Sequence, residues 1–300
     1  MKALETQVFG MTMKNPLVMA SGTYGFGEEL AHLYNPSLCG GISSKGITRY
    51  PKPGNPGIRI WETPSGILNS IGLENPGVEH FVAVESQEMA KLGTKVFVNL
   101  GGNTLEEYVE AVELLEEAPY DVLELNISCP NVKDGGMAFG LRCDSAALVT
   151  REVVKRCSRP VVVKLSPNGE SVAELARAVE AEGAQGVSLV NTFLGMAIDV
   201  TRKAFVFDRV TAGLSGPAIR PIALRMVYEV AHAVDIPVMG LGGIATWEDV
   251  VAFMMAGARC VQIGTSHFAN PRVVPEILEG LEEYCAREGL KSLDEIWKVL

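Results

Sequence analysis

The sequence predicts a (β/α)8 TIM barrel, and three observations predict it. Short apolar runs recur eight times along the 300 residues, and segments with helical spacing lie between them. The runs also read as apolar on both faces, as in a parallel sheet covered by helices. A doubly wound open sheet carries the same alternation but needs a reversal of strand order, which a sequence does not display. No linker-like stretch divides the chain, so residues 1–300 are expected to form a single domain.

Taken in order, a short N-terminal hairpin is expected over residues 4–13. Strands follow at 17–20, 41–44, 96–100, 122–127, 161–165, 187–190, 238–241 and 260–263. Between them, 105–118, 146–157, 172–182, 221–234 and 247–256 place charged residues on one side and Val, Leu and Ala on the other, as helices laid on a sheet do. Barrel enzymes collect their chemistry at the C-terminal strand ends. Here those ends carry Ser21, Lys45, Asn99, Asn126 with Cys129, Lys164, Asn191 with Thr192, Gly242 with Gly243, and Gly264 with Thr265. Turn preference explains asparagine, glycine and serine at such places. It does not explain the lysines.

The strand at 122–127 stops close to Cys129, because Pro130 cannot donate to a sheet ladder. A thiol is thereby placed at a strand end. Residues 132–140, with three glycines and no periodicity, read as a mobile loop above it. An isolated cysteine is ordinarily inert packing, so its neighbours must carry the argument. Lys164 ends an otherwise apolar strand, where it either snorkels outward or holds negative charge at the barrel mouth. Lys45 sits among small residues that leave room for a ligand. Asparagines 69, 99, 126, 131 and 191 can together offer donors and acceptors to a planar, amide-rich molecule. The turns 239–244 and 262–266 are glycine-rich and follow the last two strands, the place where this fold often binds phosphate.

Composition narrows the function classes. Hydrophobic content of 47% supports a large core, and a formal net charge of -10 with no basic cluster argues against nucleic acid as a partner. Neither a signal-like N-terminus nor a run of membrane-spanning length is present, so a cytoplasmic location without membrane attachment is expected. Six cysteines, at 39, 129, 143, 157, 260 and 285, show no CxxC pair and no Cys/His cluster. No disulfide framework, zinc site or iron–sulfur site is expected in this chain.

At this point the chain resembles a known family, the dihydroorotate dehydrogenases. The similarity is carried most specifically by Thr63-Pro64-Ser65-Gly66-Ile67-Leu68-Asn69-Ser70-Ile71-Gly72-Leu73-Glu74-Asn75-Pro76-Gly77 and by Asn126-Ile127-Ser128-Cys129-Pro130-Asn131, and it extends from Asn15 to Thr265. The resemblance implies an FMN-containing barrel that oxidises dihydroorotate to orotate in pyrimidine biosynthesis. A cysteine base and the lack of an N-terminal extension resemble the soluble class, rather than the quinone-linked class with its serine base. The wording of 63–77 is similar to the NAD-linked class, which implies a partner subunit carrying FAD and a [2Fe-2S] cluster, built on a homodimer of catalytic subunits within a heterotetramer. Residues 48–56 depart from the common wording without touching the substrate assignment.

Carried onto matching positions, the resemblance implies Cys129 as the base and Lys45 in contact with flavin and substrate. Asn69, Ser70, Ile71, Gly72, Leu73, Asn126, Asn191 and Thr192 would hold the substrate, with Asn131 an addition. Ser21, Gly46, Asn99, Asn126, Val190 and Gly216 would line the flavin, Lys164 would face its N1/O2 edge, and Gly242, Gly243, Gly264 and Thr265 would take its phosphate. A fumarate-reducing single-subunit member of the family is the near alternative. A flavin-free phosphate-binding isomerase or aldolase, or a barrel that only scaffolds a partner, is more distant.

Overall fold

The computed structural model describes residues 2–128 and 139–300. Eight parallel strands close into a barrel. They are β1 (Leu17–Met19), β2 (Gly41–Ser43), β3 (Lys95–Leu100) and β4 (Val122–Asn126), then β5 (Val161–Lys164), β6 (Gly186–Leu189), β7 (Val238–Leu241) and β8 (Ala258–Ile263). Every expected strand is present, with ends moved by a residue or two. Closure decides between the two folds left open by the sequence. Strand β8 pairs with β1, Val261 opposite Leu17, so the order never reverses and no barrel edge remains.

The expected helices are Leu105–Leu115, Cys143–Val154, Val172–Ala181, Arg220–Ala231 and Trp247–Met255. Each buries an apolar stripe on the sheet, such as Tyr108, Ala111, Val112 and Leu115 on the first. Thr104 and Thr246 accept from the backbone N–H of Glu107 and Asp249, which fixes where two of these helices begin. Helices Val78–Ala83, Glu85–Met89, Ser266–Ala269 and Val273–Glu288 add to the expected set. No helix among the described residues is long and apolar enough to cross a membrane.

The barrel strands are not apolar on both faces throughout, and this corrects the sequence expectation. Side chains alternate across a strand. On β4, Val122, Glu124 and Asn126 share the inner face, and the same step relates Phe97 to Asn99, Val162 to Lys164 and Cys260 to Gln262. The lower inner layer is apolar. It is closed from below by the expected hairpin, Thr6–Val8 with Met11–Met13, whose Val8, Phe9 and Met13 pack against Val18, Phe97, Val122, Val162, Met239 and Cys260. Phe9 meets the ring of Phe97 edge-on at 6.3 Å. Removing that plug by Phe9→Ala is expected to cost about 3–5 kcal/mol of unfolding free energy, read from urea denaturation.

A second, four-stranded antiparallel sheet roofs the C-terminal mouth. Its strands run in the order Phe193–Met196, Thr211–Ser215, Gly66–Asn69 and Ile60–Thr63. Leu68, Val206, Phe207 and Ala212 give the roof a small core of its own. Of the mobile loop expected over 132–140, Phe139 and Gly140 are described, and both are buried, Phe139 edge-on to Tyr108 at 5.7 Å. Residues 132–138 lie outside the described residues.

Candidate active site

A cavity of about 610 Å³ lies between the strand ends and the roof. The barrel supplies Ser21, Lys45, Gly46, Asn126, Lys164, Val190, Asn191 and Thr192, and the roof supplies Asn69, Ser70, Ile71, Gly72 and Leu73. Gly216, Gly242, Gly243, Gly264 and Thr265 line one end. Nearly every site residue expected from the sequence is thus gathered around one space. Asn99 is the exception among the described residues. It is fully buried below the cavity and touches Asn126 instead. Cys129 and Asn131 lie outside the described residues, Cys129 being next in the chain after Ser128, which does line the cavity.

Beneath the cavity floor, the inner faces of the strands form a polar belt around Glu124. This carboxylate is fully buried. Its Oε1 accepts from Ser188 Oγ at 2.9 Å and Gln262 Nε2 at 2.8 Å, and its Oε2 accepts from Ser43 Oγ at 2.9 Å and Asn99 Nδ2 at 2.5 Å. Lys164 Nζ lies 3.7 Å from Oε1 and donates to Gln262 Oε1 at 3.4 Å. Burial alone would push the Glu124 carboxyl up. The opposing charge of Lys164 and the hydrogen bonds from Asn99, Ser43 and Ser188 outweigh it and hold the carboxyl below the usual glutamate range. A buried, ionised carboxylate with every acceptor site filled results.

Above the belt, Asn126 Nδ2 donates to Asn99 Oδ1 at 3.0 Å, and Ser128 Oγ donates to Asn126 Oδ1 at 2.6 Å. Asn191 Nδ2 donates to Ser128 Oγ, and Asn191 Oδ1 accepts from the Thr192 backbone N–H at 2.8 Å. In the roof, Asn69 Nδ2 donates to the carbonyl of Gly213 at 3.3 Å, which ties the two halves of that sheet together. Gly46 lets the roof come close, since a Cβ there would lie 2.8 Å from Leu73 Cδ2.

The glycine-rich end has the shape of an oxyanion cradle. Gly242 and Gly243 hold φ of +132° and +73°, and a Cβ on Gly243 would lie 2.7 Å from the Gly216 carbonyl oxygen, so side chains are excluded. Thr265 Oγ1 donates to Ser215 Oγ at 2.7 Å beside it. His267, buried just beyond, contacts the Thr23 carbonyl through Nε2. Burial lowers its pKa more than that contact raises it, which leaves it neutral near pH 7.

The sequence reading missed the belt. Glu124 stood inside the stretch that drew attention, yet without a role, and Ser43, Ser188 and Gln262 carried none either. A signal was available, because each lies two residues before a cavity-lining position, Lys45, Val190 and Gly264 respectively, as Glu124 does before Asn126, and so shares its inward face. The roof strands gave no comparable signal.

Comparison with known proteins bears directly on this arrangement. A family model described as dihydroorotate dehydrogenase matches residues 3–285. The chain is 48% identical over 292 residues to the dihydroorotate dehydrogenase B (NAD(+)) catalytic subunit of Petrotoga mobilis, covering 97% of each chain. The protein of the same description from Bacteroides fragilis is 48% identical over 297 residues, 99% of this chain and 98% of that one. That of Lachnoclostridium phytofermentans is 46% identical over 289 residues, 96% of each.

Proposed function

The chain belongs to the dihydroorotate dehydrogenase family, and on that premise we propose that it oxidises (S)-dihydroorotate to orotate in pyrimidine formation, with FMN as its cofactor and Cys129 as its base. The observation that carries the reading is the single cavity joining a glycine cradle, a lysine on a buried carboxylate and a wall of asparagines. The residues present fit FMN: the end of the cavity lined by Gly216, Gly242, Gly243, Gly264 and Thr265 is largely bare backbone, which lets N–H groups approach phosphate oxygens. When bound, FMN supplies a two-electron acceptor for hydride.

The chain's own residues do the rest. Gly242, Gly243, Gly264 and Thr265 would hold the phosphate, and Ser21, Gly46, Val190 and Gly216 would line the flavin. Asn99 supports it from below through Asn126. Lys164, fixed on Glu124 and Gln262, presents positive charge at the floor, which favours an electron-rich ring beside it. Lys45, Asn69, Ser70, Ile71, Gly72, Leu73, Asn126, Asn191 and Thr192 orient the substrate, and Asn131 is a further residue proposed for that role. Cys129 Sγ removes the proton from C5, a carbon made acidic by the adjacent carbonyl.

Electrons then leave through a partner. The relatives are described as catalytic subunits, and we propose that this chain likewise works with a subunit that carries FAD and a [2Fe-2S] cluster and reduces NAD(+). An anaerobic visible spectrum tests the core of the reading. The purified protein should be yellow and bleach on adding L-dihydroorotate. A yellow protein that does not bleach rejects the substrate, and turnover with fumarate by this chain alone would reassign the acceptor.

We also propose a homodimer. Leu194, Met196, Ile198 and Phe205 are each more than half exposed and lie on or next to the roof sheet, a grouping that a water-facing surface seldom carries. Met196→Lys with Ile198→Lys should convert a dimer to a monomer in analytical ultracentrifugation. A monomeric wild type would reject the assembly.

A further inference from the structure

We propose that Glu124 is a positioning residue for ring recognition: its charge orients the near end of a hydrogen-bond relay through Asn99, Asn126 and Ser128 to Asn191, so that Asn126 presents an N–H donor at the cavity wall. The inference rests on the substrate class proposed above and deepens it. Each link follows from what its neighbour can do. An ionised carboxylate only accepts, so Asn99, directly opposite Glu124 in the β3–β4 register, must turn Nδ2 toward it. Asn99 Oδ1 then faces Asn126 and can only accept, which obliges Asn126 to donate through Nδ2.

Asn126 Oδ1 is thereby aimed at Ser128, whose backbone N–H and hydroxyl both donate to it, at 3.3 and 2.6 Å. A hydroxyl has one proton. Once it is given to Asn126, Ser128 Oγ can only accept, and Asn191 must turn Nδ2 to it. Asn191 Oδ1 is taken up by the Thr192 backbone N–H. Both lone pairs of Asn126 Oδ1 and one of Asn191 Oδ1 are thus used internally. What remains for a ligand is one N–H on Asn126, and one N–H with one acceptor lone pair on Asn191, and both residues line the cavity.

At Asn126 such a wall matches a carbonyl or carboxylate edge and opposes an amino group, which would meet donor with donor. Among the side chains of the relay only Glu124 is restricted to accepting; the backbone N–H groups of Ser128 and Thr192, restricted to donating, hold the far end in the same sense. A glutamine at 124 could donate into Asn99 and turn Asn99 Nδ2 toward Asn126, setting donor against donor where the two amides meet. Glu124 touches no ligand in this scheme. It acts through the amides above it.

The test compares dissociation constants, by calorimetry on the flavin-loaded protein, for orotate and two analogues. One analogue carries a carboxamide for the carboxylate and the other an amino group for a ring carbonyl. Wild type should prefer orotate over at least one analogue, and Glu124→Gln should reduce that preference by about tenfold. Asn99→Ala, which cuts the relay while keeping the Glu124–Lys164 pair, should reduce it similarly and guards against a folding defect in the first variant. Equal weakening for all three ligands, with unchanged preference, would mean a merely structural role and overturn the inference. A wild type that binds no orotate would remove the substrate class first, and the inference with it.

Discussion

Replacing Cys129 with alanine is expected to leave flavin bound and to slow its reduction by dihydroorotate by about a hundred- to ten-thousand-fold, the usual worth of a positioned general base. Loss of the hydride from C6 requires that the C5 proton leave as well, and alanine offers nothing to take it. The described thiols cannot stand in. Burial pushes Cys39 up to about 12, and burial together with the charge of Glu124 pushes Cys260 higher still. Cys129→Ser should recover part of the rate at high pH, because a hydroxyl is the weaker acid and becomes a usable base only there. Anaerobic stopped-flow at the flavin absorbance reads both, and near-wild-type reduction in the alanine variant would remove Cys129 from the mechanism.

The second large effect is expected at Lys164. Lys164→Met leaves Glu124 as a buried charge without its counter-ion, which should cost about 3–5 kcal/mol of stability near neutral pH and release FMN. The pH dependence distinguishes this from lost packing. In the wild type the Glu124 carboxyl is held below its ordinary value of 4.5, so its contribution is complete above that value and is lost as pH falls through the lower folded-state value. In the variant, burial is no longer opposed by the lysine and pushes the carboxyl up. Protonation then stabilises the fold, so the deficit should shrink as pH is lowered from 8 toward 5. Denaturant midpoints across that range test it, and a deficit independent of pH would contradict the charge argument. The double variant Lys164→Met with Glu124→Gln should regain much of the loss.

The eight barrel strands were legible because each is a short apolar run set off by turn residues, and alternation with helices forced a parallel sheet. Most of the cavity lining followed from one geometric rule about strand ends. The buried belt was hidden by reading the runs as uniformly apolar. Glu124 and Gln262 break that uniformity only once each, and the importance of a single polar residue in a strand depends on which way it points. The roof was hidden for a different reason. Its strands pair residues such as Asn69 and Gly213, 144 positions apart, and nothing local announces a partner so distant. Asn99 illustrates the remaining gap: its strand-end position was right, but its amide is fully buried and taken up by Glu124 and Asn126 beneath the cavity.

That long-range pairing also bears on how the molecule comes together. Most barrel strands add to neighbours nearby in the chain, whereas two seams join distant segments: β8 on β1, with Val261 opposite Leu17, and the roof, with Gly213 opposite Asn69. Contacts of such sequence separation demand chain closure before they return any stabilisation, so they form late on the folding route. Barrel closure and the roof are therefore both late steps, and the belt is completed only at closure, because Gln262 on β8 must reach Glu124 on β4.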